Sequence, residues 1–387
     1  MNKNRELSGD SFRHLTSLRR ALHRIPERSG GEAETARRIE EELAACKPDE
    51  MITGMGGNGI LATYKAASGT PKQTLLFRAE LDAVAVTEET RLPYHSENRG
   101  TMHACGHDGH MAILIGLAHL LSDTRATDLD LLLLFQPAEE TGEGAAALLK
   151  DPRFHSLTID HGFALHNLPG YEENTIYIKE NSFASASVGL EVTLKGRFSH
   201  AAYPEQGLNP SYFLSELILD LRNQLQDFVN ADPGNKMAVT YIRMGERAFG
   251  ISPGEAVLGI TLRSATDKGL RAGINTCELR ICNLAKRFEG EITHKKVEPF
   301  SSVMNSAEGV QRVKKAAEMS GLRVEELSHP FPWSEDFGEF RRQFPLTLFG
   351  LGAGPHHPPL HSEMYDFNEN LIRRGVEIFS NIIASFE

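Results

Sequence analysis

The chain has 387 residues, of which 40% are hydrophobic and 24% are charged, and its formal net charge is −11 at pH 7. These values exclude a disordered chain, and the acidic balance argues against a nucleic-acid partner, because binding a polyanion requires clustered Lys and Arg. Four cysteines are too few for a disulfide framework, which favours a reducing compartment.

The N-terminal segment is polar from its first residue and lacks the apolar stretch of a signal peptide. The longest apolar run, at 129–135, is too short to span a bilayer. We therefore expect a cytoplasmic protein that acts on small molecules, with no membrane or nucleic-acid partner. The length exceeds what one hydrophobic core usually organises, which predicts two domains.

The first half of the chain alternates helical patterns with short apolar runs. Residues 12–46 predict two amphipathic helices, interrupted at Pro26 and at the turn 29–31. Strands are predicted at 59–64, 74–77, 130–135 and 162–166, and helices at 107–122 and 141–150. This order indicates an α/β fold with a largely parallel sheet flanked by helices.

The pattern changes near residue 184. Residues 187–195 alternate as a strand with one wet face does. Helices follow at 210–229 and 267–288, and strands at 237–244, 256–263 and 291–298. The order βαββαβ is typical of a ferredoxin-like α+β domain. After residue 300 the first pattern returns, with a helix at 306–320, a strand at 345–352 and a helix at 368–386. We predict a discontinuous main domain, 1–184 and 299–387, with an inserted domain at 185–298.

Polar residues cluster where the strands of the main domain end. The segments RAELDA and QPAEE each follow a predicted strand, His166 ends another, and the strand at 345–352 leads to His361. The segment HACGHDGH at 103–110 opens a helix. Because ligands of open α/β sheets bind at the carboxyl ends of the strands, we expect these side chains to converge on one edge.

The converging residue types suit a divalent metal ion. Cys105 and His107, two residues apart, can reach one cation, and thiolate, imidazole and carboxylate are all zinc ligands. Of Glu139 and Glu140, one can bind metal while the other takes a proton from water, which implies hydrolysis.

Each feature also has a purely structural reading. The thiol could be buried, the glutamate pair could only favour a helix start, His166 could lie in the core, and His361 could be solvated. One metal site explains all four features together.

Several longer motifs resemble a known family. They are LRRALHRIPE (18–27), RAELDA (78–83), MHACGHDGH (102–110), FQPAEETGEGA (135–145), GFALHNLPG (162–170), SHAAYPEQGLNP (199–210) and SEDFGEF (334–340). In this order they resemble the aminoacylase, hippurate hydrolase and indole-acetyl-amino-acid hydrolase group, dinuclear metal-dependent amidohydrolases related to zinc carboxypeptidases.

The resemblance implies two divalent cations per subunit (Zn, Mn, Co or Ni), with Cys105 bridging them. The remaining ligands would be His107, Glu140, His166 and His361. The resemblance also implies that the main domain is catalytic and that the inserted domain is a lid and dimerisation domain, giving a homodimer or homotetramer.

The resemblance further implies the roles of the other site residues. Glu139 would be the general base acting on a metal-activated water, and Asp82 would orient ligands. His200 would contact the substrate or its oxyanion. Arg263, which follows the alternating residues GITL (259–262), is a candidate for binding the substrate carboxylate, with a surface strand charge as the alternative reading. The substrate would be an N-acetyl, N-benzoyl or indole-acyl amino acid, or a dipeptide.

The sequence departs from the family pattern at three positions. Glu80 stands where the family usually has Asp, Phe198 and Ser199 replace a glycine pair, and Gly250 replaces an asparagine. Glu80 is therefore not counted as a ligand, and the other changes bear on the substrate pocket.

Three alternative functions remain open from the sequence. The chain could be a dipeptidase or carboxypeptidase of the same fold, or a cysteine hydrolase in which His107 or His110 activates Cys105. It could also be a non-catalytic metal-binding homologue.

Overall fold

The computed structural model describes residues 7–387, and these form two compact units. The first unit comprises the described residues up to Phe183 together with Val303–Ser328 and Asp336–Glu387. The second comprises Ala184–Ser302 and His329–Glu335.

The helices of the described residues are α1 (Gly9–Arg24), α2 (Ala33–Ala45), α3 (His107–Asp123), α4 (Gly144–Lys150), α5 (Pro152–His155), α6 (Ser211–Gln224), α7 (Gln226–Ala231), α8 (Asp267–Ala285), α9 (Ala307–Met319) and α10 (Asn370–Phe386). None of these helices is both long enough and apolar enough to cross a bilayer.

The strands in the first part of the chain are β1 (Glu50–Met55), β2 (Gly59–Tyr64), β3 (Gln73–Glu80), β4 (Leu129–Gln136), β5 (His161–Pro169), β6 (Thr175–Ile178), β7 (Asn181–Ala184) and β8 (Ala186–Lys195). Those in the rest are β9 (Ser199–His200), β10 (Lys236–Met244), β11 (Ile251–Ser252), β12 (Glu255–Ser264), β13 (Glu291–Phe300), β14 (Val303–Asn305), β15 (Arg323–Glu326) and β16 (Leu346–Gly354).

The first unit is built on an eight-stranded sheet in the order β1-β2-β4-β3-β5-β16-β6-β15. Its centre is parallel, since β3 runs parallel to β4 and β5, and β5 runs parallel to β16. The sheet is mixed, because β2 pairs antiparallel with β1 and β4, and β16 pairs antiparallel with β6. The α/β fold with a mostly parallel sheet flanked by helices is thus confirmed, and β1, β6 and β15 add to the strands predicted from the sequence.

Helix α3 lies in the core of this unit. It is buried almost throughout and packs against α1, α10 and β3. It begins after Gly106, whose φ of +95° is a left-handed conformation that favours glycine. The first turn of α3 is therefore part of a well-packed, buried helix.

The second unit has a four-stranded antiparallel sheet in the order β10-β12-β8-β13. Alternate residues of β8 (Val188, Leu190, Val192 and Leu194) are buried together with residues of α6 and α8. The strand order and the βαββαβ sequence are those of a ferredoxin-like domain. The predicted helix at 210–229 is two helices, because at Leu225 ψ is close to 0° and the regular helical path stops there.

Candidate metal centre

Four parallel strands bring the predicted site residues of the first unit to one edge of the sheet. Asp82 follows β3, Glu139 and Glu140 follow β4, and His361 follows β16. His166 lies within β5, which runs on to Pro169 instead of ending at the histidine as predicted. Cys105 and His107 lie at the start of α3, beside the same edge.

Cys105 lies at the centre of the cluster. Its sulfur belongs to one group with His107 and His166 and to another with Glu140 and His361, and within each group the donor atoms lie within 4.8 Å of one another. The distance from Cys105 Sγ to His166 Nε2 is 3.4 Å. Cys105 is thus the residue that these two groups share.

The rings of His107 and His166 are each fixed by a backbone carbonyl. His107 Nδ1 donates to the Asp82 carbonyl at 2.8 Å, and His166 Nδ1 donates to the Asn167 carbonyl at 2.8 Å. In both rings the proton on Nδ1 leaves the Nε2 lone pair available, which is the arrangement that metal-binding histidines need.

The carboxylate of Glu140 lies between two histidines. Its Oε1 is 3.8 Å from His107 Nε2 and 3.5 Å from His361 Nε2. His361 has a φ of +62°, and its N–H donates to the Ala104 carbonyl at 2.8 Å. A left-handed conformation at a non-glycine residue is costly, and it is characteristic of functional sites.

Asp82 connects three parts of the site. Its carbonyl holds His107, and its carboxylate accepts from the Glu140 N–H at 2.9 Å and from the Ser29 hydroxyl at 2.7 Å. Asp82 is completely buried. It therefore contacts two of the five predicted ligands, His107 and Glu140.

The donor atoms fit a divalent metal. His107 Nε2 and Glu140 Oε1 are buried and have no hydrogen-bond partner among the described residues. Buried polar atoms are normally satisfied, so two such atoms facing each other indicate a ligand. A set of thiolate, imidazole and carboxylate donors suits zinc and similar ions.

The electrostatics of the cluster also favour a cation. Burial, with the charges of Glu140 and Glu139, raises the pKa of the Cys105 thiol well above its usual range. Burial alone would lower the pKa of His107, but the surrounding carboxylates, Glu80 first, raise it to about 10. A cation would offset this excess of negative charge and stabilise the thiolate.

Two residues of the motif at 18–27 anchor the start of α3. Arg19 Nε lies 3.1 Å from Asp108 Oδ2, and His23 Nδ1 lies 2.7 Å from the same oxygen. Both side chains are completely buried. Sequence reasoning gave them no role, although the quoted motif LRRALHRIPE contains both.

Glu80 is held by a cation and a histidine. It accepts from Arg78, and its Oε2 lies 2.7 Å from His110 Nδ1. Donor atoms of Glu80, His110 and His107 also lie within 4.8 Å of one another. Glu80 and His110 are thus part of the surroundings of the site, and sequence reasoning did not connect them.

The remaining predicted residues, His200 and Arg263, belong to the second unit. The His200 side chain is exposed and accepts from the Ala202 N–H at 3.0 Å. Arg263 is partly buried and donates to the Pro332 carbonyl and the Ser334 hydroxyl, both at 3.1 Å. No carboxylate of the described residues pairs with Arg263 in an ion pair, and burial lowers its pKa.

Comparison with known proteins gives whole-chain relatives. The hippurate hydrolase of Campylobacter jejuni is 30% identical over 373 residues, which cover 95% of each chain. The N-acetyldiaminopimelate deacetylase of Enterococcus faecalis is 30% identical over 379 residues, covering 96% of this chain and 98% of the relative.

Solved structures share the fold over nearly the whole chain. An aminohydrolase from methicillin-resistant Staphylococcus aureus superposes with a TM-score of 0.84 at 24% identity, covering 98% of this chain and 97% of the other. A dinuclear metal-binding M20 peptidase from Bacillus subtilis superposes with a TM-score of 0.80 at 24% identity, covering 97% and 98%.

The family model of peptidase family M20/M25/M40 matches residues 76–385, the range that contains every predicted metal ligand. The chain therefore belongs to peptidase family M20/M25/M40, a family of metal-dependent hydrolases that act on amide bonds.

Proposed function

We propose that the protein cleaves the amide bond of N-acyl amino acids, with Cys105, His107, Glu140, His166 and His361 holding two divalent cations. The observation that carries this proposal is the shared position of Cys105 between two groups of donor atoms. Two relatives of matching length act on hippurate and on N-acetyldiaminopimelate, as their names state, and both are amides of this type.

Glu139 is the proposed general base. It is almost buried, and its Oε2 lies 3.9 Å from His107 Nε2, so it lies beside the ligands. The cations, when bound, supply Lewis acidity that lowers the pKa of water and polarises a carbonyl. Glu139 takes the proton from the attacking water and passes it to the leaving amine.

His200 and Arg263 have proposed roles toward the substrate. His200 is assigned to the substrate or its oxyanion, and its exposed ring is free to donate. Arg263 is assigned to the substrate carboxylate, because a partly buried guanidinium without an acidic partner attracts an anion. The alternative, a structural role, is supported by its hydrogen bonds to Pro332 and Ser334, and a substrate-binding measurement distinguishes the two roles.

A homodimer or homotetramer formed through the second unit is also proposed. Strand β10 is an edge strand, and its side chains are largely exposed, including Val239, Tyr241, Ile242 and Met244. An exposed apolar edge strand is a surface that pairs readily with another chain. A cytoplasmic location is proposed because all four cysteines are free.

The experiment is a substrate screen on protein stripped of metal by a chelator and then reloaded with Zn²⁺, Mn²⁺, Co²⁺ or Ni²⁺. N-acetyl, N-benzoyl and indole-acyl amino acids and dipeptides are compared. We expect activity on at least one N-acyl amino acid, lost on chelation and restored by metal.

The same screen separates the alternatives. A cysteine hydrolase would keep its activity after chelation, and a raised pKa of the Cys105 thiol disfavours it. If only dipeptides are hydrolysed, the protein is a dipeptidase or carboxypeptidase instead of an N-acyl amino acid hydrolase. If two cations bind and no substrate is turned over, the protein is a non-catalytic homologue.

A further inference from the structure

A buried chain of polar side chains runs behind the proposed metal ligands. Glu80 contacts His110, His110 Nε2 lies 2.7 Å from Asn167 Oδ1, and Asn167 Nδ2 donates to the Tyr365 hydroxyl at 2.7 Å. Each of these four side chains is at most 2% exposed. Burying so many polar groups costs free energy, and here the cost is offset because the groups are hydrogen-bonded to one another.

At the Asn167 end, this chain of polar side chains contacts the predicted ligands themselves. The Asn167 carbonyl fixes the His166 ring through Nδ1. A Cβ atom on Gly106 would lie 2.5 Å from Asn167 Oδ1 and 2.7 Å from the Tyr365 hydroxyl. The Asn167 and Tyr365 side chains therefore pack directly against the Cys105-Gly106-His107 turn.

We propose that Glu80 is a positioning residue for the metal centre, acting through His110 and Asn167 on His166 and on the turn that carries Cys105. This inference rests on the proposed function. It assigns a role to the residue at which this chain departs from the Asp of the family pattern.

The length of the Glu80 side chain is central to this role. Residues two apart on a strand share a face, so Arg78 and Glu80 lie side by side on β3. Arg78 is fixed in turn by Gln136 Oε1 and by Asp336 Oδ1, both at 2.9 Å. An aspartate would be shorter by one methylene, about 1.5 Å, and could not accept from both Arg78 and His110.

The competing reading is that Glu80 and Arg78 form only a core ion pair. Removing one partner of such a pair lowers stability without acting specifically on metal binding. The two readings thus differ in metal affinity and in the geometry at the cysteine, which are both measurable apart from activity.

The test compares Glu80→Gln and Glu80→Asp with wild type, loaded with Co²⁺. Cobalt affinity is measured by equilibrium dialysis, and the thiolate charge-transfer band is measured by absorption. We expect the affinity to fall about 10- to 100-fold in Glu80→Gln, as for other residues that orient metal ligands, with a shifted band. Glu80→Asp should show a loss of cobalt affinity of the same order, because its side chain is too short to accept from both Arg78 and His110.

The control is Asp151→Asn, which removes a carboxylate that pairs with Arg153 in the same unit and is not a predicted ligand. Its cobalt affinity should equal that of wild type. Equal losses in Glu80→Gln and Asp151→Asn, or an unchanged affinity and band in Glu80→Gln, would overturn the proposal. If Glu80→Gln does not fold, His110→Gln takes its place, because it interrupts the same chain of polar side chains. The same changes in cobalt affinity and in the absorption band are then expected.

Failure of the proposed function has a different outcome. Cys105→Ser should bind two equivalents of cobalt fewer than wild type, and if the two proteins bind the same number, the metal centre as a whole is wrong. If two equivalents depend on Cys105 but Glu80→Gln has no effect on them, the positioning role alone is rejected.

A second, separate cluster of metal-binding side chains lies on α1, α2 and α3. Donor atoms of His14, Glu42 and His119 lie within 4.8 Å of one another. His14 Nε2 is 2.7 Å from Glu42 Oε2, and the two imidazole rings are stacked with centroids 5.5 Å apart. His119 lies 12 residues after His107 on the same helix, about 18 Å along its axis.

The separations and exposure suit a partly open site. Tetrahedral zinc with ligand bonds of about 2.1 Å holds its donors about 3.4 Å apart. The donor atoms here lie within 4.8 Å of one another, and His14 Nε2 and Glu42 Oε2 are 2.7 Å apart. The side chains of His14 and Glu42 are 48% and 17% exposed, so a cation can enter from solvent. Burial and the neighbouring His14 lower the pKa of His119, which favours the neutral ring that binds metal.

We propose that His14, Glu42 and His119 form a surface site for one divalent transition-metal cation, which would tie the three helices together. A helix-to-helix ion pair would need only His14 and Glu42. The second imidazole, stacked on the first, gives the cluster the donor set of a metal site.

The test counts Zn²⁺ equivalents bound per chain in wild type, in His14→Ala/His119→Ala and in the control His155→Ala, whose histidine is exposed on α5. We expect the double variant to bind one equivalent fewer than wild type, and His155→Ala to match wild type. Equal counts in wild type and the double variant would overturn this site, whatever the occupancy of the catalytic centre.

Discussion

Asp82 shows how much of the site depends on a single side chain. Its carbonyl and its carboxylate together fix a ring, a backbone N–H and a hydroxyl from three separate segments of the chain. Its pKa stays low despite burial, because His107 and the other donors stabilise the charged form. A residue with this many fixed contacts sets the geometry of its neighbours.

The division of labour between Glu139 and Cys105 is tested by two substitutions. Glu139→Gln should keep both cations and lose about two to four orders of magnitude in kcat, because a general base contributes about that much. Cys105→Ser should lose metal. Metal content and steady-state kinetics are measured together, and retained turnover in Glu139→Gln would remove it from the mechanism.

Gly106 is required for two separable reasons. Its φ of +95° is costly for other residues, and a Cβ would meet Asn167 and Tyr365. Gly106→Ala should therefore lower both the free energy of unfolding and the metal affinity, whereas Gly69→Ala, at a φ of +72° with nothing within 4 Å, should cost only about 1 kcal/mol and keep metal. Urea unfolding and metal content distinguish them, and equal effects would contradict the contact at Gly106.

At the scale of residues, the sequence indicated which side chains could meet but not how they are oriented. The motifs placed Cys105 and Glu140 near one sheet edge. They did not reveal that His110 faces Glu80 or that Asn167 supports Gly106, because those contacts join β3, α3 and β5 in three dimensions. Such long-range contacts leave no periodic pattern in the chain.

At the scale of elements, the parallel strands β4, β3, β5 and β16 do most to assemble the site. Their apolar runs and the helical spacing of α3 were readable from periodicity, since each is long and regular. The strands β1, β6 and β15 were missed because they are short or exposed: β6 has only four residues, and β15 is exposed along its whole length. In addition, β6 and β15 pair with strands that lie far away in sequence.

One buried histidine of β5 gives a prediction about pH. His161 is 3% exposed, contacts Thr347 Oγ1 at 3.0 Å and stacks on Phe163. Burial lowers its pKa to about 4, below the value of about 6.5 in the unfolded chain. Between these values the unfolded state binds the additional proton, so stability falls as the pH falls from 6.5 towards 4.

The variant His161→Gln lacks this proton linkage. Between pH 6.5 and pH 5, wild type should lose up to about 2 kcal/mol more unfolding free energy than the variant. Urea unfolding curves across this range provide the measurement, with His155→Gln as the matched exposed histidine. If the unfolding free energies of wild type and His161→Gln change equally with pH, the lowered pKa of His161 is contradicted.

At the scale of the whole molecule, the chain combines an α/β unit that carries the proposed ligands with a ferredoxin-like unit that carries His200 and Arg263. The change of periodicity near residue 184 was visible in sequence because each unit has its own core. The inclusion of 329–335 in the second unit was not visible, since this short segment joins it through isolated contacts such as those of Phe331 with Ala184 and Ser185. Relatives of the same length show that the combination recurs as one architecture.

The most direct test of the central claim is anomalous diffraction from crystals of the protein grown with Zn²⁺ or Mn²⁺. Two anomalous peaks should lie within bonding distance of Cys105 Sγ, about 2.3 Å for zinc, with the rings of His107, His166 and His361 and the Glu140 carboxylate completing the coordination. A Cys105 sulfur with no cation in contact, while cations bind elsewhere in the first unit, would contradict the account.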